Sequence, residues 1–309
     1  MFVFLATILL VLLVPLPAFA FGPIAHVDMG MDVIAEAAGL ASAAWSVIRT
    51  HRQDFLRGTL GPDREVAKNL AAYENHTHNW DRVFRQLEEA TTDAQRAFFL
   101  GCLCHLAADV VAHNYFVPQK IVESHRSRFA AHLYWEMRFD ARSRRQGGEL
   151  ALKALGLNRR EHRRFLENVV PGNILGPRFN VRMTGLAMRV QRAMAFQSMA
   201  AYVDRESRLV LTDDHAQEVR SLAMAAQMAV VHLFGMAPVV SVDARGIDSL
   251  ELAGRIRRQL KDLVRRHGEP NHEARMIVAG SREHFRANLA GLGPTSGGAG
   301  RFGAGGGTR

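Results

Sequence analysis

AFFLGCLCHLAADVVAHNYFVP (97–118) is the stretch on which the reading of this chain turns. It is apolar on almost every side, the pattern of a helix buried all round rather than amphipathic, and Pro118 is expected to end it. Into this run fall His105, Asp109 and His113, four residues apart. At 3.6 residues per turn successive members drift only about 40°, so the three share one helical face. Burying two imidazoles and a carboxylate in such surroundings is costly unless each is satisfied. Two readings fit: core histidines hydrogen-bonded around one aspartate, or ligands of a metal such as zinc. His105 and His113 lie about 12 Å apart along the axis at 1.5 Å per residue, so they cannot share an ion. A metal-binding face here holds more than one ion, with Asp109 placed to bridge.

Working outward, HLYWEMRFD (132–140) repeats the device: His132 and Glu136 are four apart and can clamp one ion with a ligand from elsewhere. By itself the pair is weak evidence, because His/Glu pairs are common on solvated helix faces. Upstream, GTLGPD (58–63) is a loop interrupted by Gly61-Pro62, and a polar stretch over 64–80 contains NHTHNWD. Helical patterns begin near His26 and cover 42–57, 81–90, 93–117, 121–145 and 247–266. Long Ala/Met/Val/Leu helices fill 180–236, broken near Thr212-Asp213-Asp214, a cluster suited to an N-cap. PVVSVDARG (238–246) reads as a loop with one short strand. Few segments alternate with period two and no repeat is evident, so the expected fold class is all-α: a single multi-helix bundle domain followed by a Gly-rich tail. That tail, from Gly291, has nine glycines and one proline in 19 residues and reads as disordered.

Composition bounds the rest. The 309 residues are 48% apolar and 22% charged, with 39 Lys plus Arg against 30 Asp plus Glu. This excludes an acidic disordered chain, a collagen and a multi-span membrane protein. The +9 net charge favours anionic lipid, phosphate or nucleic acid without selecting among them. Cys102 and Cys104 sit two apart, where a helix points them about 200° away from one another; they read as small buried core residues. Residues 1–20, MFVFLATILLVLLVPLPAFA, carry no charge and end in Ala-Phe-Ala, the pattern of a signal peptide cleaved after Ala20. The segment has no basic start, and its length also suits a retained membrane anchor. Cleavage would leave Phe21 with a free α-amine, five residues before His26, and a metal deprotonates such an amine readily.

FGPIAH, GTLGPD, NHTHNWD, FFLGCLCHLAADVVAHNYF and HLYWE, in that order, resemble the zinc-dependent phospholipase C family, related to the catalytic domain of glycosylphosphatidylinositol-specific phospholipase D and, more distantly, to fungal single-strand nucleases. The resemblance spans roughly 21–140, and the short His-x3-Asp-x3-His spacing points to the phospholipase C/D branch. It implies up to three Zn2+ ions: one held by Asp63, His78, His105 and Asp109; a second by the α-amine and carbonyl of Phe21 with His26, Asp109 bridging; a third by His113, His132 and Glu136. His78 is preferred over His76 because Trp80-Asp81 follows it, and His125 is a spare expected at the surface. Family members usually begin the mature chain with Trp, where this chain has Phe21. The implied activity is that of an exported phosphodiesterase (a phosphoric ester hydrolase) cutting phospholipid headgroup esters with a metal-activated water, Asp63 being the catalytic residue that orients the water and takes its proton.

Accordingly the chain divides into a signal peptide (1–20), a phospholipase C/D-like helical domain (21–240), an amphipathic helical extension (241–290) and the tail (291–309). The extension carries ELAGRIRRQLKDLVRR (251–266), a basic helix that either lies on an anionic bilayer or packs with its charged face in solvent. The expected partner is a phospholipid or membrane surface as substrate, with no specific nucleic acid and no obligate protein. A zinc nuclease or phosphatase on the same fold, and a non-catalytic membrane-tethered helical protein, stand as alternatives. The expected location is the periplasm or exterior, or the membrane itself if the N-terminal segment is retained.

Overall fold

The computed structural model describes residues 21–37, 42–64, 76–125, 132–143, 149–150, 153–154, 209–268 and 272–289. The expected signal segment, most of 144–208 and the Gly-rich tail lie outside them. Among the described residues every regular element is helical, and the fold is all-α. The elements are α1 (Pro23–Ala37), α2 (Ala43–Thr50), α3 (Arg52–Gly58), α4 (Trp80–Glu88), α5 (Asp93–Val111), α6 (Val117–Glu123), α7 (His132–Asp140), α8 (Asp213–Leu233), α9 (Ile247–His267) and α10 (His272–Ala287).

Polar caps set the helix starts. Ser42, Asn79 and Thr212 each accept a backbone N–H from the first turn of α2, α4 and α8. Thr92 and Gln95 form a reciprocal capping box at the start of α5. The 42–57 pattern is two helices rather than one, broken at His51.

Helix α5 is the axis of the molecule. Its residues from Ala97 to Val111 are all buried, and α2, α3, α4 and α8 pack around it. Cys102 and Cys104 are both buried and unbridged. His215 of α8 lies beside Tyr115, while Gln227 donates to the Cys104 carbonyl (3.1 Å), so α8 runs antiparallel to α5. On the other side α3 crosses α5 at a pair of glycines. A Cβ on Gly58 would lie 1.9 Å from the Phe98 carbonyl oxygen, and one on Gly101 would lie 2.1 Å from that of Phe55. Only glycine, which has a hydrogen where other residues have Cβ, lets the two backbones meet this closely.

Pro118 does not end the helix. Ala112–Phe116 form a π-turn, with the Val117 N–H bonded to the Ala112 carbonyl, and α6 continues to Glu123. Proline has no N–H for an ordinary bond to residue 114 and its ring crowds that carbonyl. The widened turn resolves the conflict. Asn114 Nδ2 then donates to the Val110 carbonyl at 3.1 Å. The 238–246 segment has no strand: Pro238–Ser241 is a 3-10 turn, because its apolar residues have no neighbouring strand to pair with and Val239 turns inward instead.

Candidate metal centre

Helix α5 carries His105, Asp109 and, in the π-turn, His113; the loops and helices around it bring the remaining donors. Residues 62–64 form a 3-10 turn that presents Asp63, the turn before α4 presents His78, and α1 presents His26. All are buried: His26, His105 and Asp109 completely, the other two nearly so. His26 is thus internal.

Asp109 faces two ways. Its Oδ1 lies 3.2 Å from His26 Nε2, while Oδ2 lies 3.0 Å from His78 Nε2 and 3.1 Å from His105 Nε2. Asp63 Oδ1 is 3.3 Å from His78 Nε2, and its Oδ2 is 3.7 Å from His105 Nε2. The His26 and His105 rings stack with centroids 3.9 Å apart. A third group lies beyond: His132 Nε2 is 2.9 Å from Glu136 Oε1, and the His113 and His132 rings stand at right angles, centroids 5.0 Å apart. Three sets of ligand-type atoms, each within 4.8 Å of one another, therefore occur among the described residues: His26–His105–Asp109, Asp63–His78–His105 and His113–His132–Glu136.

The imidazoles are oriented from behind. His105 Nδ1 donates to the Thr59 carbonyl (2.8 Å) and His113 Nδ1 to the Ala244 carbonyl (2.7 Å). The Thr77 hydroxyl donates to the Pro62 carbonyl (2.7 Å), which leaves its oxygen to accept from His78 Nδ1 at 3.3 Å. Each Nδ1 is thereby the protonated nitrogen, and each Nε2 turns a lone pair inward. His76 is occupied otherwise, its Nδ1 accepting the His78 backbone N–H at 3.0 Å. His125 is buried, not at the surface, with Nδ1 donating to the Val122 carbonyl. The short turn after α6 folds it back under the helix.

These donors fit a cation. Both Asp109 oxygens, both Glu136 oxygens and His26 Nε2 are buried with no hydrogen-bond partner, although other donors stand at contact distance. Close approach without hydrogen-bond alignment means that the lone pairs converge on common points rather than on one another's protons. Buried polar groups left in this way are costly, and a divalent ion at each point would satisfy them. Nitrogen and carboxylate donors without thiolate suit zinc.

Electrostatics follow from the same crowding. Burial alone would raise the Asp109 carboxyl, but contacts from His105, His26 and His78 hold it well below the ordinary carboxylate range. Burial pushes His113 down to about 3, so its imidazole stays neutral near physiological pH. Glu136 goes the other way: burial lifts it to about 7 against the pull of His132. Between about pH 4.5 and 7 the folded, metal-free chain therefore keeps a proton on Glu136 that the unfolded chain has lost. Stability falls as pH rises through that window, by about 3 kcal/mol from this group. Glu136→Gln removes the effect. Urea melts of the metal-free proteins should show the variant gaining on the wild type by about that amount between pH 4.5 and about pH 8; a constant difference would contradict the assignment.

A residue match supplies the rest. The family model for zinc dependent phospholipase C matches residues 25–179. The chain belongs to this family. Members are zinc-dependent phospholipase C hydrolases, and the three donor groups agree with several zinc ions. No curated protein and no solved structure gives a significant match.

Two features of this phospholipase C family chain are not apparent from ligand-type spacing. Asp140, eight residues after His132 on the same face of α7, is buried and accepts the backbone N–H groups of Ala25 (2.7 Å) and Ile24 (3.4 Å). It caps α1 and so sets the direction of the helix that bears His26. Phe21 is wholly buried, its ring 4.5 Å from Phe139 and 5.9 Å from His26 between centroids. That places the start of the expected mature chain beside the first donor group.

Proposed function

We propose that the chain is an exported phospholipase C that hydrolyses phospholipid headgroup phosphodiesters. The observation that carries this reading is the placement of Asp109, one carboxylate shared by two imidazole groups, with a third His/Glu group farther along the same long helix. We assign Asp63, His78, His105 and Asp109 to one ion, His26 with the Phe21 chain end and Asp109 to a second, and His113, His132 and Glu136 to a third. When bound, zinc supplies Lewis acidity, lowering the pKa of water and offsetting negative charge on phosphate oxygens. The chain's own residues do the remaining work. Asp63, held on a turn after Gly61-Pro62, accepts the proton of the attacking water. The water oxygen forms the new bond to phosphorus, the bond from phosphorus to the glycerol oxygen breaks, and diacylglycerol leaves as its alkoxide and takes up the proton that Asp63 accepted. Thr59, Thr77 and Ala244 keep the imidazoles from turning during this exchange.

Cleavage after Ala20 would give Phe21 the free α-amine that the second group uses. A side-by-side assay of the processed, zinc-loaded protein on phosphatidylcholine vesicles and single-stranded DNA tests the reading. The expected products are diacylglycerol and phosphocholine from the vesicles, with the DNA left intact. Release of phosphatidate would make the enzyme D-type, and DNA cleavage at a comparable rate would reassign the substrate. N-terminal sequencing of the exported protein should begin at Phe21.

A further inference from the structure

Three consecutive backbone carbonyls, those of Val242, Asp243 and Ala244, each accept a hydrogen bond from a side chain of the phospholipase-matched region. Trp80 Nε1 donates to Val242 at 3.0 Å, Asn114 Nδ2 to Asp243 at 2.9 Å, and His113 Nδ1 to Ala244 at 2.7 Å. The acceptors lie about 60 residues beyond the end of the family match, in sequence that carries no ligand-type residue of the three donor groups. Asp243 also braces the segment from within, its Oδ1 accepting both the backbone N–H and the Nε–H of Arg245. Gly246 follows in the left-handed region, with φ +57°, and opens α9. A Cβ there would lie 2.5 Å from the His113 carbonyl oxygen and 2.6 Å from His113 Cβ. Glycine thus meets two demands at once: a left-handed backbone and direct contact with the π-turn. Ser249, in the first turn of α9, donates to Asn114 Oδ1 at 3.0 Å.

We infer that Val242–Gly246 is a positioning strap, which fixes His113 with Nε2 directed at the His132–Glu136 group and so makes the C-terminal segment part of the third metal site. The inference rests on assigning His113, His132 and Glu136 to a zinc ion. The chemistry of a metal-binding imidazole requires such a device: if Nδ1 loses its acceptor, the proton can move to Nε2 and block the ligand lone pair. Neither Ala244 nor Gly246 touches substrate in this account. They act through His113.

Gly246→Ala tests the strap, read by zinc equivalents per chain, by chelator competition and by the His113 tautomer in 15N NMR of the metal-free protein. The variant should keep its helical circular dichroism while binding one zinc about 10–100-fold more weakly, the usual cost of losing an outer hydrogen bond to a ligand. His113 should shift from the Nδ1–H form towards a mixture. Full zinc content at wild-type affinity with an unchanged tautomer would overturn the inference. Should Gly246→Ala fail to fold, Trp80→Phe removes one tether and keeps the ring packed. It should produce a smaller change in the same two readouts, and no change in either would also overturn the strap. The tautomer is read without metal. A wild-type protein that bound no zinc would defeat the metal assignment, and the tautomer comparison would still decide the strap.

Discussion

Asp109→Ala is expected to lower phospholipid turnover by a factor on the order of 10³ or more, since losing even an outer partner of a metal ligand costs about 10–100-fold and this carboxylate is assigned to two ions. Its two oxygens reach three imidazoles, Oδ1 lying 3.2 Å from His26 and Oδ2 3.0 and 3.1 Å from His78 and His105. Its loss removes the charge common to both groups and leaves His26, His78 and His105 facing one another in a buried space. Two ions then share no ligand and three neutral nitrogens hold less positive charge. Zinc analysis should fall by more than one equivalent, and Asp109→Asn, similar in size but uncharged, should fail in nearly the same way. Circular dichroism of the metal-free forms controls for folding. Turnover within tenfold of wild type would mean that the carboxylate is structural and that the reaction proceeds elsewhere.

Gly101→Ala is expected to carry a heavy cost in stability. The added methyl would lie 2.1 Å from the Phe55 carbonyl oxygen and 2.9 Å from the Gly58 Cα. Both obstacles are backbone, so no rotamer change relieves them, and α3 must move away from α5. Overpacking of this kind costs about 3 kcal/mol or more, equivalent to about 10 °C in Tm for a domain of this size. The chemistry should suffer too. Thr59, just past the end of α3, holds His105 Nδ1 at 2.8 Å, and separating the helices pulls that carbonyl away. Weaker zinc binding should therefore accompany the drop in Tm. A variant that melts like the wild type would show that the crossing has slack which the glycine pair does not suggest.

What was legible in the sequence divides along physical lines. The His105–Asp109 relation could be read because α-helical periodicity fixes it locally, and the apolar residues around it announced burial. Asp63, His78, His132 and Glu136 sit on other segments, and only resemblance to a family, not spacing, suggested that they meet. The structure brings all of them to α5. The boundary at Pro118 was misjudged because proline is incompatible with an ordinary helical turn but compatible with a π-turn, an option that pattern reading does not weigh. His125 was placed outside because nothing in its neighbours revealed the turn that buries it. The carbonyls behind the histidines were invisible for a deeper reason: a backbone acceptor has no residue identity, and Thr59 or Ala244 looks like any other threonine or alanine. Gly246 could be seen as a glycine in a loop, but His113 pressing on it could not.

The π-turn at 112–116 also acts as a change of phase. His105 and Asp109 stand on the α-helical part before it, whereas His113 lies within the turn, its ring against that of His132 of α7. A change of one residue in the length of this turn is therefore expected to disturb the third donor group without altering any ligand-type side chain.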